Sequence, residues 1–310
     1  MKQYDFVKGM RRYIARLREQ GRYSSAKSYQ DALNSFRRFC GREVIPYTCM
    51  DKEMLLGYQD YLLDREYSWN TVSTYMRRIR RVYGVAMENG EAPFSRYLFK
   101  GIFMGVKSKQ KKALPEESLR LLMTAPVEDA GLRDTQRALC LMFLFCGMAF
   151  VDFAHLKKSD IQGDVLKYNR QKTGTPMLVE VQLVAKELMA VLMAGTRQDS
   201  PYLFAFLSGT ETGEGAFREY TSALACFNRS LKELAKACGV AETVTSYSIR
   251  HSFATTLKEQ GVPIEMISEL LGHQSIKTTQ IYLKSFSVDK MSAVNKACFE
   301  SIYNNVSKVG

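Results

Sequence analysis

The chain has 310 residues, 46% of them hydrophobic, and 44 Lys and Arg against 32 Asp and Glu give a formal net charge of +12. Such a chain can bury two domain cores; it has no apolar run of membrane-spanning length, and its start, MKQYDFVKGMRRYIARL, is too charged for a signal peptide, so an intracellular protein is expected. Seven cysteines without a CxxC pair read as reduced core residues, and His155, His251 and His273 lack partners at metal-ligand spacing, which argues against a disulfide scaffold and a zinc enzyme.

Four helical patterns precede residue 105: about Asp5 to Gln20, Ser24 to Cys40, Asp51 to Arg65 and Ser68 to Asn89, punctuated by Gly21, GREVIP and Gly90. They predict a compact domain of four or five helices over residues 1–105. The positive charge is concentrated at this end. Residues 1–112 hold 23 Lys and Arg against 11 Asp and Glu, while the remaining 198 residues hold 21 of each. In the fourth helix Val72, Tyr75, Met76, Ile79, Val82, Tyr83 and Ala86 form an apolar stripe, and Arg77, Arg78, Arg80 and Arg81 cover the other face. Four arginines in five positions repel one another unless an anion lies close. Nucleic-acid phosphates would satisfy them; a solvated basic face is the plainer alternative.

The stretch GVKSKQKKALPEE lacks apolar periodicity and carries Lys107, Lys109, Lys111 and Lys112, so residues 106–115 read as a flexible linker beside phosphates. Pro115 and Glu116 then open a second domain over 116–310. Helices are expected at about Glu116 to Thr124 and Leu132 to Cys146, followed by GMAFVDFAHLKKSDI. The run DVLKYNRQKTGTPMLVEV alternates as two strands around a Thr-Gly turn, a β-hairpin with Lys172 at its tip and Arg170 beside it. More helix fills 181–240, interrupted by SGTETGEGAF, which has no following GK[ST] and so gives little support to nucleotide binding.

The last third carries the chemistry. Ile264, Ile267, Leu270 and Leu271 predict a helix ended by Gly272, and Ser275 caps another whose buried stripe is Ile276, Thr279 and Leu283, with Tyr282 projecting to one side. Arg250, His273 and Tyr282, the last nine residues after the histidine, suit phosphodiester chemistry without a metal. A tyrosine can attack phosphorus but its phenol, with a pKa of about 10, needs activation, and an arginine fork grips two phosphate oxygens. The alternative for Tyr282 is amphipathic edge packing. Met291, Val294, Cys298 and Ile302 form one more helical stripe near the end.

This segment, SYSIRHSFATTL through LLGHQSIKTTQIYLK, resembles the end of the tyrosine recombinase (phage-integrase-like) family, where Arg-His, Leu-Gly-His and a nucleophilic Tyr recur at this spacing. The resemblance implies a mainly α fold with a small β-hairpin or sheet: an N-terminal helical core-binding domain on DNA, then an α+β catalytic domain. It implies site-specific cutting and rejoining of DNA through a 3′-phosphotyrosyl intermediate on Tyr282, with no cofactor, metal or ATP. Arg250 and His273 would stabilise the pentavalent phosphate, Lys172 would protonate the departing 5′ oxygen, with Arg170 as runner-up, and Tyr247 would support. The partners implied are double-stranded DNA bearing recombination sites and a homotetramer on it, in which the C-terminal helix either docks on its own domain or exchanges into a neighbour. A cytoplasmic, nucleoid-associated DNA invertase or mobile-element integrase follows.

Two departures qualify the resemblance. Tyr247 stands where the family often has His. Ala149 stands where its first arginine belongs, within a frame that Gly147, Asp152 and Leu156 otherwise fit. Arg137 and Arg133 are the nearest upstream substitutes, though Arg137 would start roughly 18 Å along a helix from position 149. A catalytically impaired DNA-binding accessory protein of the same fold is the alternative, and a type IB topoisomerase a third reading.

Overall fold

The computed structural model describes residues 4–107, 113–283, 292, 295–297 and 300, with the side chains of Ile281 and Tyr282 outside that description. The chain divides into two compact units, Met1–Gln110 with Thr210–Glu219, and Lys111–Gly209 with Tyr220–Gly310. Among the described residues no helix is long and apolar enough to cross a membrane.

In the first unit, α1 (Phe6–Glu19), α2 (Tyr23–Cys40), α3 (Lys52–Asp64) and α4 (Trp69–Glu88) lie where the apolar periodicity puts them. Asp5, Asp51 and Ser68 fix three of the starts by accepting from the backbone N–H of Val7, Met54 and Thr71. Asp5 does more than cap. Its Oδ1 accepts from Val7 N at 3.0 Å and from Ile45 N at 2.9 Å, beside an antiparallel bridge between Asp5 and Pro46. One buried carboxylate thus ties α1 to the segment leading into α3. Above it the rings of Phe6, Phe36, Tyr47 and Tyr58 pack edge to face, with Phe6 5.5 Å from Phe36 and Phe36 4.9 Å from Tyr58. On α4 the predicted stripe is buried, except that Tyr75 is only partly so.

The second unit starts with α5 (Glu116–Thr124) and α6 (Ala130–Leu144). A left-handed turn at Cys146 and Gly147 leads into the short α7 (Phe150–Ala154). An antiparallel sheet follows, in the order β1 (Ile161–Gln162), β2 (Val165–Asn169), β3 (Pro176–Glu180). Val165 pairs with Glu180 and Asn169 with Pro176, which leaves residues 170–175 as the hairpin tip. The hairpin is the expected one; β1 is an addition, too short to show an alternating pattern in sequence. Then come α8 (Leu183–Ala194), α9 (Gly213–Ala237), α10 (Ser246–Glu259), α11 (Ile264–Leu270) and α12 (Ile276–Tyr282). The architecture is mainly α with one small sheet, as the sequence led us to expect.

The main core of this unit includes Leu139, Met142, Phe145, Phe153, Leu166, Phe204, Leu231 and Ile249. A smaller cluster of Phe253, Ala254, Ile267 and Leu271 holds α10 and α11 together. Residues 210–219 were read from sequence as part of the second domain, yet they group with the first unit, where Phe217 stacks on Tyr23 at 6.1 Å. The expected C-terminal stripe, Met291, Val294, Cys298 and Ile302, lies outside the described residues.

Removing the Asp5 carboxylate deletes two buried hydrogen bonds, whereas removing that of Asp51 deletes one exposed cap. Asp5→Ala is expected to cost about 2 kcal/mol and Asp51→Ala about 1 kcal/mol of stability. Urea midpoints of the two variants check the order.

Candidate active site

Several segments of the second unit meet at one backbone turn, Leu271–Gly272–His273. Helix α11 closes there: Gly272 N donates to Glu269 O at 2.7 Å and His273 N to Ser268 O at 2.9 Å. Gly272 has φ +61, and a Cβ at this position would stand 2.5 Å from Met177 Sδ and 2.7 Å from Arg170 Cδ, so the turn needs glycine twice over. The closed turn presents two carbonyls to two guanidiniums.

Arg250, from α10, donates to the carbonyl of Leu271, to that of Gly147 at 3.0 Å, and to His273 Nε2 at 3.2 Å. Arg170, just past β2, donates to the carbonyls of Leu271 at 3.1 Å and Gly272 at 2.9 Å. Its Nε lies 3.5 Å from Asp152 Oδ2 on α7. Both arginines are buried, at 3% and 7% exposure. Two like charges therefore share the Leu271 oxygen, held by backbone dipoles and, for Arg170, by one carboxylate.

The same carboxylate reaches the hairpin, since Asp152 Oδ1 accepts from Gln171 N at 2.7 Å. Gln274 Nε2, one residue past His273, donates to Thr173 O at 3.3 Å. These bonds hold the residues on either side of Lys172, which stays exposed at the tip. Gly147 contributes as Gly272 does. At φ +62 with Phe253 2.9 Å from where a Cβ would be, it delivers its carbonyl to Arg250.

His273 sits in this positive surrounding. Burial, and then the charges of Arg250, Arg170 and Lys172, push its pKa down from 6.5 to about 4. The ring is neutral at neutral pH. Its Nδ1 lies 2.8 Å from Oγ1 of Thr279, a fully buried residue of α12.

The structure thus gathers Arg250, His273 and Lys172 from the expected set. Tyr282 is the last residue of α12, the helix that follows the His273 turn; its side chain lies outside the described residues. Tyr247 stands one turn before Arg250 on α10, 37% exposed, its ring edge-on to His251 at 4.7 Å. Arg137 pairs through NH1 with Asp134 at 2.6 Å on its own helix, and the charges acting on His273 are those of Arg250, Arg170 and Lys172. Ala149 is the extended residue that begins α7. Ile276, expected in the buried stripe of α12, is 40% exposed.

In the first unit Arg77, Arg80 and Arg81 are exposed on α4, while Arg78 lies over the Tyr29 ring at 4.8 Å and donates to Ser28 Oγ. Lys107 Nζ is 4.2 Å from the centre of the Trp69 ring; Lys109, Lys111 and Lys112 lie outside the described residues. Sequence reading undervalued Arg170, treating it as a stand-in for Lys172. A signal was present. Strand residues alternate faces, Leu166 and Tyr168 point inward, and the same phase carries Arg170 inward.

The depressed pKa of His273 makes stability depend on pH in a defined window. Between pH 6.5 and about 4 the unfolded chain binds a proton at this ring and the folded chain does not, so stability falls as pH drops through that range. His273→Asn is expected to show a smaller loss of melting temperature than the unaltered chain between pH 7 and pH 4.5.

Residues 112–287 match the family model described as "Phage integrase family", and residues 5–102 match "Phage integrase SAM-like domain". A tyrosine recombinase of Thermosipho africanus is 24% identical over 289 residues, covering 92% of this chain and 96% of that protein. The tyrosine recombinase XerA of Pyrococcus furiosus is 32% identical over 189 residues, which is 60% of this chain and 62% of that relative. Among solved structures, a lambda integrase dimer bound to a COC′ core site superposes with a TM-score of 0.67 at 15% identity, over 92% of this chain and 81% of that one. The Tn1549 transposon integrase in complex with transposon right end DNA gives 0.66 at 12% identity, over 95% and 99%. The turn that joins Arg250 to His273 lies within the matched span, and the chain belongs to the phage integrase family, the tyrosine recombinases.

Proposed function

We propose that this tyrosine recombinase acts on specific DNA sites by using Tyr282 as its nucleophile, and that it is an integrase of a mobile element or a DNA invertase. The observation that carries this reading is the buried Arg250 bonded to a neutral His273, one short helix ahead of residue 282. The Tyr282 oxygen attacks a backbone phosphorus, the bond from phosphorus to the 5′ oxygen breaks, and the strand is held as a 3′-phosphotyrosyl ester. When phosphate oxygens take up the N–H groups of Arg250, the Nε2 lone pair of His273 is released to accept the phenol proton. Lys172, on the hairpin tip, gives a proton to the departing 5′ oxygen. Attack by a 5′ hydroxyl of another strand reverses these steps, and no nucleoside triphosphate enters because the ester conserves the bond.

Arg170 takes the part that Ala149 leaves unfilled. A second guanidinium beside Arg250 raises the positive potential where the pentavalent phosphate carries extra charge. Tyr247 donates a phenolic hydrogen bond from the same face of α10. Residues 1–105 serve as the core-binding domain, 106–115 as linker and 116–310 as catalytic domain, apart from the stretch 210–219 that groups with the first unit. Arg77, Arg78, Arg80, Arg81, Lys107, Lys109, Lys111 and Lys112 contact phosphates. Double-stranded DNA as partner and a tetramer as the working assembly are supported by lambda integrase, solved as a dimer on a core site and as a tetramer on a Holliday junction. A nucleoid-associated place in the cytoplasm goes with that partner. Ala149 favours one other reading, a cleavage-impaired accessory protein that binds DNA.

Duplexes retained from a random-sequence pool, then nicked at successive positions, provide the test. A detergent-stable covalent adduct is expected with the unaltered chain and none with Tyr282→Phe, whose DNA retention is unchanged. Retention without any adduct on every nicked duplex would overturn the enzyme reading in favour of the accessory protein. On the same substrates Arg170→Ala is expected to slow adduct formation about 100-fold or more, as loss of an oxyanion donor does. Arg137→Ala is expected to leave it unaltered.

A further inference from the structure

The ring of His273 is held from both sides, and the Arg250 contact fixes where its proton sits. A guanidinium can only donate, so Nε2, 3.2 Å from Arg250 NH2, must present its lone pair. The ring is neutral, so its single hydrogen is on Nδ1, and Nδ1–H donates to Thr279 Oγ1 at 2.8 Å. Thr279 has no solvent exposure, and no bulk water competes for that bond.

Thr279 also has a place in the chain that matters. It lies on α12, one turn before Tyr282, and its own carbonyl accepts from Leu283 N at 3.2 Å, just past the tyrosine. The hydroxyl is therefore fixed to the helix that carries residue 282. We propose that Thr279 is a positioning residue that takes up the Nδ1–H of His273 and so holds the ring, in the tautomer that Arg250 selects, to the tyrosine helix. With α12 in place, the ring is held at both nitrogens, and Nε2 is aimed where the reacting groups meet. With α12 displaced, Nδ1–H loses its acceptor and the ring turns on the Arg250 contact alone. One bond thus makes the nucleophile's helix and the group that accepts its proton ready together.

The catalytic half of this inference rests on Tyr282 being the nucleophile; the ring-positioning half does not. Thr279→Val keeps the shape of the side chain and removes the hydroxyl, and Thr279→Ser restores it. The full chain carries only three histidines, so 15N-histidine spectra can be assigned with His273→Asn as reference. At pH 7 the unaltered chain and Thr279→Ser are expected to show an Nδ1–H proton at the low field of a hydrogen-bonded group, with bare Nε2, whereas Thr279→Val loses that low-field signal. On nicked duplexes Thr279→Val is expected to form adduct about 10- to 100-fold more slowly, the effect of leaving one buried donor unmet, with DNA retention unchanged; Thr279→Ser stays within about 3-fold. Tyr282→Phe removes the adduct yet leaves the His273 spectrum as it was. If Thr279→Val keeps the low-field Nδ1–H signal, or keeps the unaltered adduct rate, the proposal is overturned. Absence of adduct from the unaltered chain would sink the Tyr282 reading instead, and the nitrogen spectrum alone would then decide the role of Thr279.

Discussion

Burying the Arg250 guanidinium is costly unless its N–H groups are met, and the carbonyls of Gly147 and Leu271 and the ring nitrogen of His273 meet them. The acceptors come from two parts of the second unit, the turn before α7 and the Leu271–Gly272–His273 turn between α11 and α12. Satisfying one side chain therefore fixes two segments against α10. The two glycines of the site, at 147 and 272, are consequences of the same demand. Both are in the left-handed region, and both bring a backbone carbonyl closer than a side chain would allow.

Backbone dipoles satisfy hydrogen bonds without cancelling charge, and this sets the electrostatics of the site. Arg170 adds a second buried guanidinium on the same Leu271 oxygen, moderated by Asp152 at 3.5 Å. Lys172 adds a third cation from the hairpin tip. His273 records their sum: it is already partly buried, and the three cations hold it neutral far below the usual imidazole range. A site built this way favours a polyanion and keeps a neutral base beside strong cations, which suits attack on a phosphodiester better than acid chemistry by an imidazolium.

Asp152 gives the arrangement its reach. It orients Arg170 and pins Gln171, so the carboxylate of α7 sets both a buried cation and the path of the loop that carries the exposed Lys172. Gln274 ties the other side of that tip to the residue after His273. At position 149, where the resemblance led us to expect an arginine, the side chain is a methyl group, yet Asp152 three residues on is engaged with Arg170 and Gln171. The geometry around Arg250 stays supported without a guanidinium at that position.

Sequence alone determined the helices of the first unit, the hairpin and the order Arg250, His273, Tyr282, because these are local: caps at Asp5, Asp51 and Ser68, a period of 3.6 or 2, and a motif at fixed spacing. It also determined that the net charge resides in the first 112 residues, a matter of counting. Only the tertiary structure decided which arginine stands beside Arg250. Distance along the chain made Arg137 look near position 149, whereas the residue brought in is Arg170, which lies 80 positions before Arg250 and is joined to it by the Leu271 carbonyl. The same holds for Thr279. Periodicity marked it as buried, but burial says nothing of a partner, and its bond to His273 exists because a glycine turn folds α12 back across the end of α11. Contacts between distant segments depend on how elements pack, and packing is the one thing a local pattern does not contain.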